Sequence, residues 1–180
     1  MKALVLDVDG VLTDGGIFLD DDGRELKRFH ARDGVGIQLA KHAGWKVLLC
    51  TARESQPARR RAEELGAQWA IGVSQKDQFL EEWLGKRDIS WSDVAYVGDD
   101  LQDLCVLEKV GWPIAVGDAA LEVKAAAKYV TQLDGGRGAV RDAVEWLLTK
   151  HGVKAEAIHA FLNRKKGFAV GKLQFGGDDV

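Results

Sequence analysis

Two aspartates, Asp7 and Asp9, stand one residue apart directly after the apolar run at residues 3–6, and Gly10 follows them at once. Aspartate is uncommon in strands and is rarely buried without a partner. Alternate residues of a strand point to the same side, and open α/β sheets bind ligands at the carboxyl ends of their strands. The pair therefore predicts a chemical site at the end of a strand.

A second acidic group, Asp99, Asp100 and Asp103, follows the apolar run at residues 94–97 in the same manner. If both runs are central parallel strands, the two groups meet at one edge of the sheet, where like charges are costly unless a cation neutralises them. Mg²⁺ suits this role because it takes oxygen ligands and is often completed by a substrate phosphate. We therefore predict magnesium as the cofactor.

Two further residues complement a phosphate. Thr51 follows the apolar run at residues 46–50 and offers a hydroxyl, and Lys76 begins a predicted helix, where its ammonium and the helix N-terminus can both hold phosphate. A nucleophilic carboxylate, a second carboxylate, a metal site, a hydroxyl and a lysine are what phosphoryl transfer through an aspartyl-phosphate requires. The pattern thus indicates a protein that transfers a phosphoryl group to an aspartate.

Strands and helices alternate along almost the whole chain, which predicts an α/β domain with a mainly parallel sheet and helices on both faces. We expect this domain to span residues 1–150, and residues 151–180 to form a C-terminal tail that is partly mobile or docks on a neighbouring subunit. The predicted strands are 3–6, 46–50, 69–72, 94–97, 113–116 and 129–131; the predicted helices are 34–42, 55–65, 76–84, 101–110, 121–128, 139–150 and 155–162; residues 17–29 are predicted as a β-hairpin.

Composition narrows the class of protein. The chain has 180 residues, 46% of them hydrophobic, and a net charge of −3, which is typical of one globular domain and disfavours a nucleic-acid partner. The two cysteines, Cys50 and Cys105, lie far apart and form no CxxC pair, which favours a reduced compartment. We find no signal-peptide pattern and no membrane-spanning run, so we expect a cytoplasmic protein without a membrane partner.

The order of the motifs resembles the haloacid dehalogenase superfamily of phosphatases. The chain carries DVDGVLTDG from Asp7, Thr51 in TAR, then Lys76, and GDDLQD from Gly98, and four ordered motifs are far more specific than one. Over residues 3–150 it is closer still to the small capless branch that includes the 3-deoxy-manno-octulosonate 8-phosphate phosphatases. The motifs that carry this closer match are DVDGVLTDGG, GRELKRF, RDGVGIQLA, TARES, the Arg/Ala/Leu helix before Gly66, GDD and GGRGAVRD.

The resemblance implies a role for each motif residue. Asp7 is the implied nucleophile and a metal ligand, and Asp9 is the implied general acid and base, with its carbonyl also on the metal. Asp99 is the implied third protein ligand. Thr51 and Lys76 are implied to bind the phosphoryl oxygens.

The resemblance also implies that Asp100 and Asp103 orient waters and Lys76. We assign substrate binding to the neighbouring loop positions Gly10, Ala52, Arg53 and Glu54. Ala52 departs from the family, which usually has glycine there, and alanine tolerates fewer backbone conformations beside a phosphate.

No cap domain fits into this chain. Residues 17–50 are accounted for by the hairpin, one helix and one strand, and residues 52–75 by one helix and one strand. In the family that the chain resembles, projecting hairpins assemble a homotetramer in which a neighbour helps to close each site. We therefore expect residues 17–29 at such an interface. A solvated helix face is the simpler interpretation of Arg59, Arg60 and Arg61, and contact with a neighbouring site is the second.

Two substrates stay open. Overall resemblance favours 3-deoxy-manno-octulosonate 8-phosphate, a sugar-acid phosphate. Glu54, however, resembles the enzymes for nine-carbon sialic-acid-type 9-phosphates, whereas the octulosonate enzymes have lysine at this position. A glutamate accepts hydrogen bonds from sugar hydroxyls but repels a carboxylate, so Arg53 or a helix arginine would bind the carboxylate of the substrate.

Two other classes of protein share part of this pattern. A receiver domain of two-component signalling also has an acidic Mg²⁺ site, but its phospho-acceptor ends a later strand, and Asp9 is an acid/base that a long-lived phospho-signal would avoid. A non-catalytic assembly domain is disfavoured by the complete set of motif residues.

Overall fold

The computed structural model describes residues 1–166, in which eight strands and seven helices alternate along the chain. The strands are β1 (Ala3–Leu6), β2 (Phe18–Leu19), β3 (Glu25–Leu26), β4 (Lys46–Thr51), β5 (Gln68–Ile71), β6 (Val94–Gly98), β7 (Trp112–Ala115) and β8 (Tyr129–Val130). The helices are α1 (Ala31–His42), α2 (Gln56–Leu65), α3 (Lys76–Gly85), α4 (Leu104–Leu107), α5 (Leu121–Ala126), α6 (Ala139–Lys150) and α7 (Lys154–Lys166). The predicted α/β class is confirmed.

A six-stranded parallel sheet of order β5-β4-β1-β6-β7-β8 forms the centre of the domain. In this register, Leu6 at the end of β1 pairs with Leu49 on one side and with Val97 on the other. The chain segments that leave β1, β4 and β6 therefore emerge side by side at one edge of the sheet. This arrangement brings the two acidic groups of the sequence together.

The sheet is covered by helices on both faces. All four residues of β1 are fully buried, which requires cover on both sides of the strand. The helix contacts fall into two groups, α1 with α2, α6 and α7, and α4 with α3 and α5. The fold class and helix cover agree with the expectation.

Helices α1 and α6 contact each other through residues of the RDGVGIQLA and GGRGAVRD motifs. The buried Asp33 in RDGVG accepts a hydrogen bond from the backbone nitrogen of Arg141 in the first turn of α6 (2.9 Å). A Cβ added at Gly36 would lie 2.9 Å from the Cα of Arg141, so glycine permits the close packing. These motifs therefore have a structural use at the contact between the two helices.

Several element bounds differ from those predicted. Helix α1 begins at Ala31, three residues before the predicted start. The prediction began at the apolar pattern and missed the first turn, which Asp33 stabilises through its charge at the helix N-terminus. The predicted helix 101–110 is a 3₁₀ turn at Leu101–Asp103 followed by the short α4. Asp100 and Asp103 cap this turn reciprocally, which tightens the chain there.

The β2–β3 hairpin is a separate antiparallel pair that is shorter than predicted, because residues 27–29 leave it and turn toward the domain. Its apolar side chains are more than half exposed: Ile17, Phe18, Leu19 and Leu26. Only this hairpin and α1 lie between β1 and β4, and only α2 and β5 lie between β4 and α3, so this part of the chain contains no cap domain.

The first part of the predicted tail forms α7, which contacts α1 and α6. The ring of Phe161 packs edge-on against His42 with the ring centroids 5.8 Å apart. The rest of the predicted tail, residues 167–180, lies outside the described residues. None of the helices within residues 1–166 combines the length and the apolar character needed to cross a bilayer.

Candidate active site

Three polar side chains stand where β1, β4 and β6 end. Asp7 follows β1 and extends its ladder, because its backbone nitrogen donates to the carbonyl of Val97 (3.1 Å). Thr51 is the last residue of β4, and Asp99 follows β6 directly. Asp7 and Thr51 are buried and Asp99 is half-buried. The sheet thus places at one edge the residues that the sequence predicts for chemistry.

Lys76 joins this edge from the first position of α3. Its side chain is only 2% exposed, and its Nζ lies 3.0 Å from Asp7 Oδ1 and 2.7 Å from Asp103 Oδ1. A buried ammonium is tolerated when it is paired and hydrogen-bonded, and here two carboxylates surround it. Lys76 is therefore held against one oxygen of Asp7.

Tyr96 completes this buried cluster, and sequence reasoning missed it. Its hydroxyl donates to Asp103 Oδ1 (2.6 Å) and accepts from Lys76 Nζ (3.2 Å). Burial, together with the charge of Asp103, raises the pKa of Tyr96, so the hydroxyl stays neutral. The available signal was a tyrosine within an otherwise aliphatic strand, since a buried tyrosine hydroxyl normally needs a partner.

Burial shifts the acidity of the cluster. Burial raises the pKa of Asp7 to about 6, although the charge of Lys76 opposes the shift. Burial and the nearby charges, that of Asp7 first, raise the pKa of Asp99 to about 8. For Lys76 burial acts to lower the pKa, but Asp7 and Asp103 outweigh it and raise the pKa, so the lysine remains charged. Burial thus favours the protonated form of the Asp99 carboxyl near neutral pH, and a cation bound beside it would favour the charged form.

Two carboxylate oxygens in the cluster fit a metal ion. Asp7 Oδ2 and Asp99 Oδ1 are buried and have no hydrogen-bond partner within residues 1–166. Asp7, Asp99 and Asp103 each offer an oxygen within 4.8 Å of the others. Both oxygens of Asp103 are already engaged, one by Lys76 and Tyr96 and the other by the backbone nitrogen of Asp99 (2.9 Å). Asp7 and Asp99 are therefore the better candidates for metal ligands.

Gly10 makes room for this cluster. Its φ is +84°, a conformation that favours glycine, and a Cβ added there would overlap Asp99 Oδ2. The Gly10 carbonyl lies so close to Gly135 that a side chain at Gly135 would overlap it. The backbone nitrogen of Gly136 also donates to the carbonyl of Val11 (3.0 Å). The GGRG motif thus supports the loop that follows β1.

Asp9 shares none of the partners of Lys76. Its Oδ2 accepts from the Thr51 hydroxyl (3.3 Å), and its Oδ1 contacts Lys27 Nζ. Thr51 Oγ1 in turn accepts from the backbone nitrogen of Arg53 (3.2 Å). Sequence reasoning treated Lys27 only as part of the hairpin, because nothing in the local pattern shows that its side chain turns inward.

The hairpin carboxylate Glu25 connects Lys27 to the loop after β4. Glu25 Oε1 lies 3.0 Å from Lys27 Nζ and 3.2 Å from Arg53 Nη2, and Oε2 accepts from the Ser55 hydroxyl (2.6 Å). Burial acts to raise the pKa of Glu25, but hydrogen bonds from Ser55 and Lys27 lower it overall. Arg53 is thus engaged by Glu25 in this structure.

The remaining predicted positions border the site. Asp100 is exposed and its carboxylate accepts from the backbone nitrogen of Leu101 (2.8 Å), so it caps the turn after β6. Ala52 does not need the freedom of glycine, because Asp88 is the only non-glycine with a positive φ within residues 1–166. Glu54 is exposed and its side chain covers Gly72, where a Cβ would overlap it.

A cleft of about 750 Å³ opens between the hairpin and α2, beside the site. Its lining includes Glu25, Lys27, Glu54, Gln56 and Arg60. The other two helix arginines have partners within the chain: Arg59 lies over the ring of Trp69 (4.6 Å) and pairs with Glu63, and Arg61 pairs with Glu64 (2.8 Å).

Comparisons with known proteins agree with this architecture. Residues 70–143 match the haloacid dehalogenase-like hydrolase family. The 3-deoxy-D-manno-octulosonate 8-phosphate phosphatase KdsC of Escherichia coli K12 is 43% identical over 158 residues, which cover 87% of this chain and 84% of that protein.

Two solved structures of such phosphatases superpose on the fold. The enzyme of Moraxella catarrhalis, in complex with magnesium, phosphate and KDO, has a TM-score of 0.85 at 36% identity and covers 89% of this chain and 93% of its own. The cobalt-bound enzyme of Haemophilus influenzae has a TM-score of 0.83 at 34% identity, and the match covers 90% of this chain and 96% of that chain. The chain therefore belongs to the haloacid dehalogenase-like hydrolase family and is a phosphoric monoester hydrolase of its capless branch.

Proposed function

We propose that this protein is a magnesium-dependent phosphatase that hydrolyses 3-deoxy-D-manno-octulosonate 8-phosphate to the free sugar acid and phosphate. The observation that carries the proposal is the state of Asp7, with one oxygen against Lys76 and the other buried and unpartnered. Such a carboxylate is pre-positioned to bind a cation and to attack a phosphorus atom.

In the first step Asp7 attacks the phosphorus, and the bond between phosphorus and the sugar oxygen breaks. Asp9 gives its proton to the departing sugar oxygen, so the sugar leaves as an alcohol. In the second step Asp9 takes a proton from a water molecule, which attacks the phospho-aspartate. The bond between phosphorus and Asp7 breaks, and phosphate leaves while the Asp7 carboxylate is restored.

The charges around the reacting groups support this sequence. Asp7 and Asp99 would hold Mg²⁺, which when bound supplies positive charge against the phosphate oxygens. Lys76 supplies a second positive charge beside Asp7, and the low exposure of both side chains strengthens the interaction. Asp103 and Tyr96 keep Lys76 in place from the opposite side.

The relatives support the eight-carbon substrate, since all three described above are named as phosphatases of octulosonate 8-phosphate and one of them holds KDO and phosphate. The cleft between the hairpin and α2 has the volume to take a sugar acid. Glu54 on its border favours a nine-carbon sialic-acid-type 9-phosphate as the second candidate, because a glutamate accepts hydrogen bonds from sugar hydroxyls.

We also propose that the hairpin assembles a homotetramer. Ile17, Phe18, Leu19 and Leu26 are each more than half exposed and lie together on one short hairpin. A concentration of exposed apolar side chains on one short element is typical of an interface. Light scattering on the purified protein tests this part of the proposal, and a monomer with full activity would contradict it.

The test of the proposed function is phosphate release from a substrate panel in Mg²⁺. The panel contains octulosonate 8-phosphate, a nine-carbon sugar-acid 9-phosphate, a hexose phosphate and a phosphopeptide. We expect release from one sugar acid, its loss in Asp7→Asn and its retention in Asp21→Asn, which removes the same charge from the exposed hairpin turn. If no panel member releases phosphate, or if Asp7→Asn retains the wild-type rate, the proposal is wrong.

A further inference from the structure

Lys27 is a buried charge on an otherwise exposed hairpin. Its side chain is 2% exposed, whereas the apolar residues around it, such as Phe18 and Leu26, are more than half exposed. Burying an ammonium costs free energy unless carboxylates pair with it. Lys27 meets this requirement with Asp9 Oδ1 on one side and Glu25 Oε1, 3.0 Å away, on the other.

Glu25 is itself held by the loop after β4. Ser55, the N-cap residue of α2, donates its hydroxyl to Glu25 Oε2 (2.6 Å), and Arg53 Nη2 lies 3.2 Å from Glu25 Oε1. Lys27 therefore cannot move without breaking contacts that reach the start of α2. The result is a chain of contacts that runs from α2 through Glu25 and Lys27 to Asp9.

The other contact of Asp9 is weaker. Its Oδ2 accepts from the Thr51 hydroxyl at 3.3 Å, which is long for a hydrogen bond between oxygens. Without Lys27, the Asp9 carboxylate would keep this single long contact and could rotate about its side-chain bonds. A proton-transfer group must stay within hydrogen-bond reach of the atom that it serves.

We propose that Lys27 is a positioning residue for Asp9, which it keeps directed at the departing oxygen of the substrate. This inference rests on the proposed function, in which Asp9 protonates that oxygen. The two lysines thus have separate roles. Lys76 positions Asp7, the carboxylate that attacks phosphorus, and Lys27 positions Asp9, the carboxylate that transfers the proton.

The test uses two substrates whose leaving groups differ in their need for a proton. A sugar alkoxide is a poor leaving group and needs protonation, whereas the phenolate of p-nitrophenyl phosphate leaves with little help. The ratio kcat/KM reports the steps up to the first bond cleavage, in which Asp9 gives its proton. Three variants are compared with wild type: Lys27→Met, Lys27→Arg and Lys109→Met. The last is the control, because it removes a lysine from a solvent-exposed ion pair with Asp77.

We expect Lys27→Met to lower kcat/KM about 10- to 100-fold for the preferred sugar-acid phosphate and less than about threefold for p-nitrophenyl phosphate. Lys27→Arg should recover most of the loss, since it restores the charge, and Lys109→Met should match wild type. If Lys27→Met is too unstable to purify, Glu25→Gln provides the second test, because it weakens the anchor of Lys27 and should give a smaller loss with the same substrate dependence.

Equal losses on both substrates would overturn the inference, because a general structural effect or a phosphate contact of Lys27 lowers both rates alike. Unchanged rates on both substrates would also overturn it. Failure of the proposed function gives a different result, since the wild-type enzyme would then release no phosphate from the sugar-acid phosphates, whatever its rate on p-nitrophenyl phosphate.

Discussion

Lys76 Nζ lies 3.0 Å from Asp7 Oδ1, while Asp7 Oδ2 is buried and has no hydrogen-bond partner within residues 1–166. One oxygen of the Asp7 carboxylate thus contacts the Lys76 ammonium, and the other is available to bind a metal ion. Strand β1, which precedes Asp7, is paired with β4 on one side and with β6 on the other. The central sheet therefore fixes the backbone position from which Asp7 makes these contacts. The expected properties of the site follow from this relationship.

Replacing Lys76 by methionine should destabilise the protein and abolish turnover. The substitution leaves the carboxylates of Asp7 and Asp103 buried without their cation, which costs on the order of 3 kcal/mol. Because the penalty requires the charged carboxylates, the loss in unfolding free energy should be larger at pH 8 than at pH 5. Urea unfolding at both pH values measures this loss in unfolding free energy. The control variant Lys109→Met should change the unfolding free energy by less than about 0.5 kcal/mol. Equal losses for the two variants would contradict the account.

Tyr96→Phe should lower stability by about 1–2 kcal/mol because it removes the hydroxyl that hydrogen-bonds Asp103 and Lys76 without changing the packing. We also expect kcat to fall, since Lys76 loses one of its partners. Tyr129→Phe is the matched control: that hydroxyl donates to Asp142 Oδ1 (2.9 Å), away from the strand ends. Activity that drops equally in both variants would show that the Tyr96 hydroxyl has no specific role.

Gly10→Ala should reduce Mg²⁺ affinity roughly tenfold or more, because the added Cβ overlaps Asp99 Oδ2 and displaces a candidate metal ligand. The control is Gly23→Ala, which has a similar positive φ of +74° but has no atom within 4 Å of the added Cβ. Both variants therefore carry backbone strain, and only one alters the site. Calorimetric Mg²⁺ titration distinguishes them, and equal affinities would refute the placement of Asp99 at the metal.

Metal dependence should change with pH. Burial raises the pKa of Asp7 to about 6 and, with help from neighbouring charges, that of Asp99 to about 8, both from 3.8. The metal-free native state therefore binds more protons than the unfolded chain between these values, and its unfolding free energy falls as the pH rises from about 4 to about 8. Mg²⁺ favours the charged carboxylates, so its stabilising effect should grow over the same range.

Thermal unfolding at pH 5, 6, 7 and 8, in EDTA and in Mg²⁺, measures this effect. The difference between the two midpoints should widen with pH for wild type and should widen much less for Asp99→Asn. A difference that stays constant with pH in the wild-type protein would show that these carboxylates do not bind the ion.

The site was predictable from the sequence where local pattern and strand order suffice. Asp7 follows one buried apolar run directly and Asp99 follows another after Gly98, so the alternation of elements predicts that both lie at the carboxyl ends of strands. Their proximity also requires β1 and β6 to be neighbours, as the parallel pairing of the two strands shows. Lys76 was identified only through its motif, since a lysine at the start of a helix is ordinarily solvated. The individual roles of these residues remain predictions.

The contacts of Lys27 and Tyr96 were not predictable. Lys27 reaches Asp9 because its side chain turns inward after β3, where Glu25 contacts both Lys27 and Ser55 at the start of α2. A tyrosine within the otherwise aliphatic β6 indicates that its hydroxyl needs a partner, but the sequence does not show that Lys76 and Asp103 supply it. In both cases tertiary contacts, not local preference, determine the environment of the side chain.

The most direct test of the proposed mechanism is a rapid-quench measurement with labelled substrate. Under single-turnover conditions in Mg²⁺, wild-type protein should carry label transiently on Asp7 and lose it as phosphate appears, and Asp7→Asn should carry none. Product formation without any labelled protein, or a label that persists after the substrate is consumed, would contradict the account, and the persistent label would instead indicate a signalling domain.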